Sequence, residues 1–262
     1  MRQYRFFVSP DQIHKNRKLT LTGDQARQIC SVLRMREAEH IVALDNRGWQ
    51  YDVRLDKVSS DLVSGEILSR EQAAGEPRTE LTLYQALLKK DNFEWVLQKG
   101  TELGVARFVP LITQRCVVRQ KAIKPAKLER WKRIISEAAE QSGRARLPSL
   151  SAPVKLPEAL ENIDVFDTAL IPWEEEKEKG LVEALRDDEG ERSSPAARIA
   201  VFIGPEGGFD EEEIEEAEAA GLQPVTLGPR ILRAETAAVA AATLVLSAMG
   251  ELEWILEPRF LK

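Results

Sequence analysis

Over the first 70 positions, apolar residues recur in short runs bounded by turn residues: Tyr4 to Val8, Ile41 to Leu44, Tyr51 to Leu55 and Leu62 to Leu68. Asp45-Asn46-Arg47-Gly48 separates two of these runs, and the pattern predicts strands joined by tight turns. Only residues 24–35, DQARQICSVLRM, break it, because Ala26, Ile29, Cys30 and Leu33 share one helical face. Residues 1–70 therefore read as a small barrel-like module. Residues 69–80, SREQAAGEPRTE, are polar and aperiodic with one Gly and one Pro, which places a domain linker at 71–80.

From residue 81 to 262 strand and helix patterns alternate. Leu81 to Leu88 predicts a buried strand, followed by a helix from Asp91 to Leu103 with Asp91 as cap and Gly104 as stop. Arg107 to Thr113 is the next strand. The long helix after it has Pro125 in its first turn, Trp131, Ile134, Ile135 and Ala138 on one face, and its end at Ser142-Gly143. Further strands are expected at Thr168 to Pro172, Ile199 to Ile203 and Pro224 to Leu227, with helices at Glu211 to Ala220 and Ala234 to Met249. Strands separated by helices imply an α/β domain with a parallel sheet covered on both faces. Ligands of such sheets sit beyond the carboxyl ends of the strands, which directs attention to the loops after residues 203 and 227.

Composition narrows the class. The 262 residues are 43% hydrophobic and 31% charged, which describes a globular chain of one large or two modest domains. The opening MRQYRFFVSP carries no signal-peptide core, and the longest apolar stretch, Ala237 to Met249, is 13 residues, below the ~20 that cross a bilayer. Cys30 and Cys116 are too few for a disulfide framework or thiolate metal site, and His14 and His40 stand in unrelated contexts. The expectation is a cytoplasmic protein without membrane or metal. The net charge of -6 hides two opposed segments. Residues 115–146 carry ten Lys/Arg against three Glu, a net +7; residues 174–218 carry 17 acids against five bases, a net -12. The first is either a phosphate-facing surface or a solvated helical face.

Two loops carry candidate chemistry. In 204-GPEGGFDEEE-213, Gly204, Gly207 and Gly208 let backbone approach a ligand, but neither a Walker loop nor a dinucleotide fingerprint is present. Asp210 to Glu213 occupy the helix N-terminus where a phosphate would bind, so a neutral or cationic ligand suits this loop better. In 227-LGPRILRAETA-237, Arg230 and Arg233 flank Ile231-Leu232, and Glu235 and Thr236 open a helix that is otherwise almost entirely apolar. Its alanines permit close packing, at a subunit interface or around a threaded chain.

The strings 94-EWVLQKGTELGV-105, 137-EAAEQSGR-144, 204-GPEGGF-209 and 227-LGPRILRAETAA-238, with 5-RFFV-8 and 32-VLRM-35, resemble those of the RsmE family. That family comprises 16S ribosomal-RNA uridine N3-methyltransferases of the SPOUT superfamily. Four ordered motifs spread along the whole chain make the resemblance specific. Departures are Ala38-Glu39, where the family tends to have Gly-Asp, and Gly100, where Ala is common. The resemblance implies a PUA-like β-barrel for RNA binding, then a SPOUT domain whose carboxyl end forms a deep trefoil knot, an exception to unknotted topology. It implies a homodimer and S-adenosylmethionine as cofactor. The cofactor would be held by Leu170, Ile171, Gly204, Pro205, Glu206, Gly207, Gly208, Leu227, Gly228, Ile231, Leu232 and Thr236.

Methyl transfer is an in-line displacement, so the protein must align a nucleophile with the carbon–sulfur axis and assist loss of the uracil N3 proton. Arg233 is expected near the developing anion or a flanking phosphate, with Glu235 as proton acceptor or as the group holding that arginine. Expected RNA contacts are Arg5 and Arg34 on the barrel and Lys90, Arg144 and Arg146 on the catalytic domain. Trp95 and Trp131 read as core. Rival readings are a methyltransferase of another RNA, such as transfer RNA, and a non-catalytic RNA-binding assembly factor.

Overall fold

In a computed structural model describing residues 3–117, 123–186 and 196–253, the amino-terminal strands alternate inward and outward residues. On β5 (Trp49–Val58), Tyr51, Val53 and Leu55 are buried while Arg54 and Asp56 face out, the period of two that a half-covered sheet requires. With β1 (Tyr4–Phe7), β2 (Ile13–His14), β3 (Lys18–Thr22), β4 (His40–Leu44) and β6 (Leu62–Gln72) it forms a six-stranded sheet in the order β1-β4-β5-β6-β3-β2. Only β1 and β4 pair in parallel. The helical run is a short α1 (Gly23–Arg27) continued by a π-helical turn over Gln28–Val32, which buries Ala26 and Ile29. Ala38, where the resemblance expects Gly, takes φ +69, a left-handed conformation costly for a residue with a Cβ.

Two differences from the sequence reading have physical causes. Residues 18–22, KLTLT, form a strand the apolar runs did not mark, since only Leu19 and Leu21 point inward. Residues 69–72, of which 71 and 72 are expected in the linker, continue β6: cross-strand polar pairs sustain them, with Gln50 donating to Glu71 at 2.7 Å and the Arg70 guanidinium lying 4.0 Å over the Trp49 ring. The chain divides into two compact units, Met1–Glu76 with Ser136–Leu147, and Pro77–Ile135 with Pro148–Lys262. The return segment joins the first unit through backbone bonds: Phe7 N donates to the Glu140 carboxylate at 3.1 Å, and Ala145 N and Arg146 N to Glu76 at 2.7 and 2.9 Å.

The second unit holds β7 (Glu80–Ala86), α2 (Asn92–Leu103), β8 (Arg107–Ile112), α3 (Pro125–Ser142, its last turns in the first unit), β9 (Ser149–Leu150) and β10 (Val154–Lys155). It continues with α4 (Leu156–Leu160), β11 (Thr168–Pro172), β12 (Arg198–Ile203), α5 (Glu211–Ala219), β13 (Gln223–Val225) and α6 (Ala234–Ala248). The sheet is parallel, in the order β10-β8-β7-β12-β11-β13, with β9 also on β8. Alternate residues serve opposite faces. Leu81, Leu83, Ile199, Val201 and Ile203 pack with α2, α3 and α6; Tyr84, Ala200 and Phe202 pack with α4 and α5. Both faces are covered, as parallel sheets demand.

Trp131 is fully buried, its ring 4.4 Å from Phe93. Trp95, expected in the core, is 42% exposed. The α2 face that packs inward carries Phe93, Val96, Leu97, Gly100 and Thr101, so an indole at 95 points away from it.

Burial raises the Glu140 carboxyl above its ordinary value, against the bond from Phe7 and with help from the Glu137 charge. Because the fold disfavours ionised Glu140, stability falls as pH rises from about the unfolded carboxylate value through the raised one. Glu140→Gln keeps an acceptor for Phe7 N. Its melting temperature should exceed the parent's at pH 7.5, with the gap closing towards pH 4.5; a gap independent of pH contradicts this account.

Candidate functional site

Three loops at the carboxyl ends of parallel strands enclose a cleft of about 930 Å³. They are 172–177 after β11, 203–209 after β12 and 226–237 between β13 and α6, with Asn92 of α2 at the margin. Sheet order explains the convergence: β12 lies between β7 and β11, and β13 pairs with β11 on its other side.

The loop after β12 is a glycine turn fastened on several sides. Gly208 N donates to Pro205 O at 3.0 Å, and Gly208 takes φ +70, where a side chain would be strained. The Glu206 carboxylate accepts from Lys89 N at 2.9 Å. Arg115 donates to Gly207 O at 3.2 Å and pairs with Asp210 at 2.8 Å. Asp210 caps α5, and Glu213, buried, accepts from Asp210 N at 2.9 Å and Gln114 N at 2.7 Å. The carboxylates of Asp210 and Glu213 thus satisfy the donors that an anion at this helix end would need.

The loop after β13 is set by hydrogen bonds on both sides of residues 225–226. Trp173 N donates to Val225 O at 3.0 Å, Thr226 N to Lys179 O at 2.9 Å and Leu181 N to Thr226 O at 3.3 Å. Gly228 then turns with φ +106 and Gly228 N bonds Thr226 Oγ1 at 3.2 Å. Arg233 is the exposed N-cap residue of α6, and Glu235 is half-buried in its first turn. Both line the cleft, and no ion pair joins them among the described residues. On the third loop, Glu176 accepts from Lys179 N and Glu178 N at 3.0 and 2.6 Å, bonds that hold its carboxyl below the ordinary range.

Of the residues expected at the cofactor, Gly204, Pro205, Glu206, Gly207, Gly208, Leu227, Gly228, Ile231 and Leu232 line this cleft. Leu170 and Ile171 do not: both are fully buried inside β11, and the chain emerges only at Pro172-Trp173. Thr236 is also absent from the lining and faces solvent, one helical step round from Glu235. The sequence reading missed Trp173, Glu174, Glu176 and Lys177. Its own rule, applied to the third strand end at β11, identifies them.

The expected RNA contacts fall in different surroundings. Arg34 and Lys90 are exposed with φ +54 each, and Arg146 is exposed beside Gly48. Arg5 is half-buried beside Gly143. Arg144 is a correction: it is 5% exposed and pairs with Glu76 at 3.1 Å, so its charge is spent inside the fold. Two further bases of the basic run make surface pairs, Arg130 with Glu94 at 2.6 Å and Lys132 with Glu129 at 2.9 Å. Arg119 and Lys121 of that run, and 187–195 of the acidic one, lie outside the described residues.

A parallel sheet with a glycine-walled cleft at its carboxyl edge is the ligand-binding arrangement of an α/β domain, and residues 75–246 match the family model of an RNA methyltransferase domain. The chain is 33% identical over 248 residues to ribosomal RNA small subunit methyltransferase E of Bacillus subtilis (strain 168), covering 94% of this chain and 96% of that protein. The protein of the same name from Synechocystis is 36% identical over 242 residues, 91% and 75% of the two chains. The crystal structure of that enzyme from Neisseria gonorrhoeae, bound to S-adenosylmethionine, matches with a TM-score of 0.82 and 33% identity over 94% and 98%. The chain belongs to the ribosomal RNA small subunit methyltransferase E family.

A Cβ on Gly208 would lie 2.4 Å from a Glu174 carboxylate oxygen, but that side chain is exposed and can swing away. The lasting cost of Gly208→Ala is its left-handed backbone, about 1–2 kcal/mol. Thermal melts should show a fall of roughly 2–6 °C, and an unchanged melt would mean the turn is not held at positive φ.

Proposed function

We propose that this chain is an S-adenosylmethionine-dependent methyltransferase acting on N3 of a uridine in 16S ribosomal RNA. The observation that carries the reading is the cleft itself, where the 204–208 turn and the 227–233 loop face one space. The residues fit the cofactor. Gly228 has open space where a Cβ would stand, so backbone there can lie flat against a nucleoside. Asp210 and Glu213 occupy the α5 N-terminus and leave no phosphate seat, whereas a sulfonium carries no phosphate.

When bound, the cofactor supplies an electrophilic methyl carbon next to a positive sulfur. The chain's task is alignment, proton removal and charge stabilisation at uracil. Arg233, exposed at the cleft, is the cation for the uracil oxygens or a flanking phosphate as N3 loses its proton. Glu235, without an ion-pair partner among the described residues, is the nearby carboxylate able to accept that proton.

The six-stranded unit is read as a PUA-like RNA-binding module, with Arg5, Arg34 and Arg146 as its contacts, the last expected on the catalytic domain but belonging with residues 136–147 to this unit, and Lys90 the contact on the catalytic unit. The second unit is read as a knotted SPOUT domain; residues 225–226, bonded to 173 on one flank and to 179–181 on the other, support this, since a strand passed through a loop of its own chain would be bonded on both flanks. A homodimer is supported by α6, whose Val239 and Leu244 are only half-buried, and by Ile231, which is 90% exposed. The proposed setting is cytoplasmic, on the assembled small subunit.

Mass spectrometry of 16S RNA from cells lacking the gene should show loss of one N3-methyluridine, restored by the purified protein on small-subunit particles. Methylation of transfer RNA instead, or no cofactor binding by calorimetry, overturns the reading in favour of a different substrate or an assembly factor. Arg233→Ala should lower turnover at least about a hundredfold while cofactor-product affinity stays within about threefold. Parent-like turnover would remove the arginine from the reaction.

A further inference from the structure

We propose that Arg115 is a positioning residue for the cofactor-binding turn, acting from the loop after β8 by clamping the Gly207–Gly208 peptide; the inference deepens the function proposed above and rests on it. Arg115 reaches the turn three ways. Its guanidinium donates to Gly207 O at 3.2 Å, pairs with Asp210 at 2.8 Å, and its Cβ lies 3.4 Å from where a Cβ on Gly207 would stand.

The carbonyl bond is the one that matters for shape. A trans peptide is planar, with its C=O and N–H pointing opposite ways. Gly208 N already donates to Pro205 O at 3.0 Å, so Arg115 secures the other end of the same plane. With both ends held, the plane cannot rotate. Glycines on both sides of an unclamped peptide leave little steric resistance to a flip, and a flip would reshape the wall of the cleft.

Arg115 is itself held. Glu213, only 4% exposed, bonds Gln114 N with one oxygen and Asp210 N with the other, tying the residue before Arg115 to the α5 N-cap. The arginine thus approaches the turn from a fixed base. Its pairing with Asp210 is half-exposed, at 46% and 29%, and such pairs add little to global stability. Loss of Arg115 should therefore alter the turn without unfolding the unit.

Hydrogen exchange in the free protein, with calorimetric titration of S-adenosylhomocysteine, tests this. Arg115→Ala should speed exchange of the 204–210 amides, raise the dissociation constant about tenfold and raise the donor KM in parallel, with kcat within about threefold and the melting temperature nearly unchanged. Arg115→Lys keeps a charge for Asp210 but lacks the fork that spans two acceptors, so it should recover only part of the affinity. Unchanged exchange and unchanged affinity in Arg115→Ala would overturn the proposal, as would full recovery by lysine, which would assign the effect to charge. If the parent protein binds no S-adenosylhomocysteine, the proposed function fails, and the exchange readout alone still decides whether Arg115 fixes the turn.

Discussion

The hydrogen bonds at residues 225 and 226 are the constraint on which the cleft depends. Val225 accepts from Trp173 on the β11 side while Thr226 exchanges bonds with Lys179 and Leu181 on the other. Backbone that is bonded on two flanks cannot slide, so the turn at Gly228 leaves from a fixed point and Arg233 arrives at the start of α6 in a fixed place. A single strand end with one free flank would leave loop 227–233 to find its own position. Fastening from both sides makes a loop behave as an extension of the sheet, and precise chemistry is better carried by such an element than by a free loop.

Much of this arrangement could be read from the chain, and the failures are instructive. Alternation of apolar runs with helical periodicity located the parallel sheet, because strands covered on both faces, such as 199-IAVFI-203, are apolar throughout. Strand β3 escaped because KLTLT commits only two apolar side chains to the core, and 69–72 escaped because the end of β6, which runs past β3 and is sustained by polar pairs with β5, carries no apolar signal. Trp95 sits on an apolar helix but off the arc that α2 presents to the core, which a count of apolar residues does not distinguish. Sequence patterns fix the period of an element more firmly than its phase.

The site was readable to the extent that backbone chemistry defines it. Glycines at 204, 207, 208 and 228 mark turns whatever surrounds them, and they line the cleft. Leu170 and Ile171 lie on the strand that leads into the cleft and are buried within β11, while the cleft lining begins at Pro172. Charge was the poorest guide. Arg144 looked like a free cation in a run of ten bases, yet its partner Glu76 lies 68 positions earlier in the sequence. Pairings of that span depend on the fold, so a count along the chain measures composition and not surface potential.

The acids around the cleft illustrate the same distinction between carrying a charge and being free to use it. Glu206 is committed to Lys89 N and Glu176 to two amides of its own loop, so both serve as struts, and the two amides hold the Glu176 carboxyl below its ordinary range. Asp210 and Glu213 are committed to the α5 end. Glu235 is the cleft carboxylate that shares a helix turn with Arg233, and neither residue is engaged in an ion pair among the described residues. Some acids of the cleft therefore brace its walls, while Glu235 and Arg233 stand beside each other outside any ion pair among the described residues, the arrangement that the proposed proton removal and charge stabilisation would use. The turn preceding α5 can be rich in acids without losing its ligand: the proposed donor brings positive charge to the cleft, where a nucleoside triphosphate would bring negative charge.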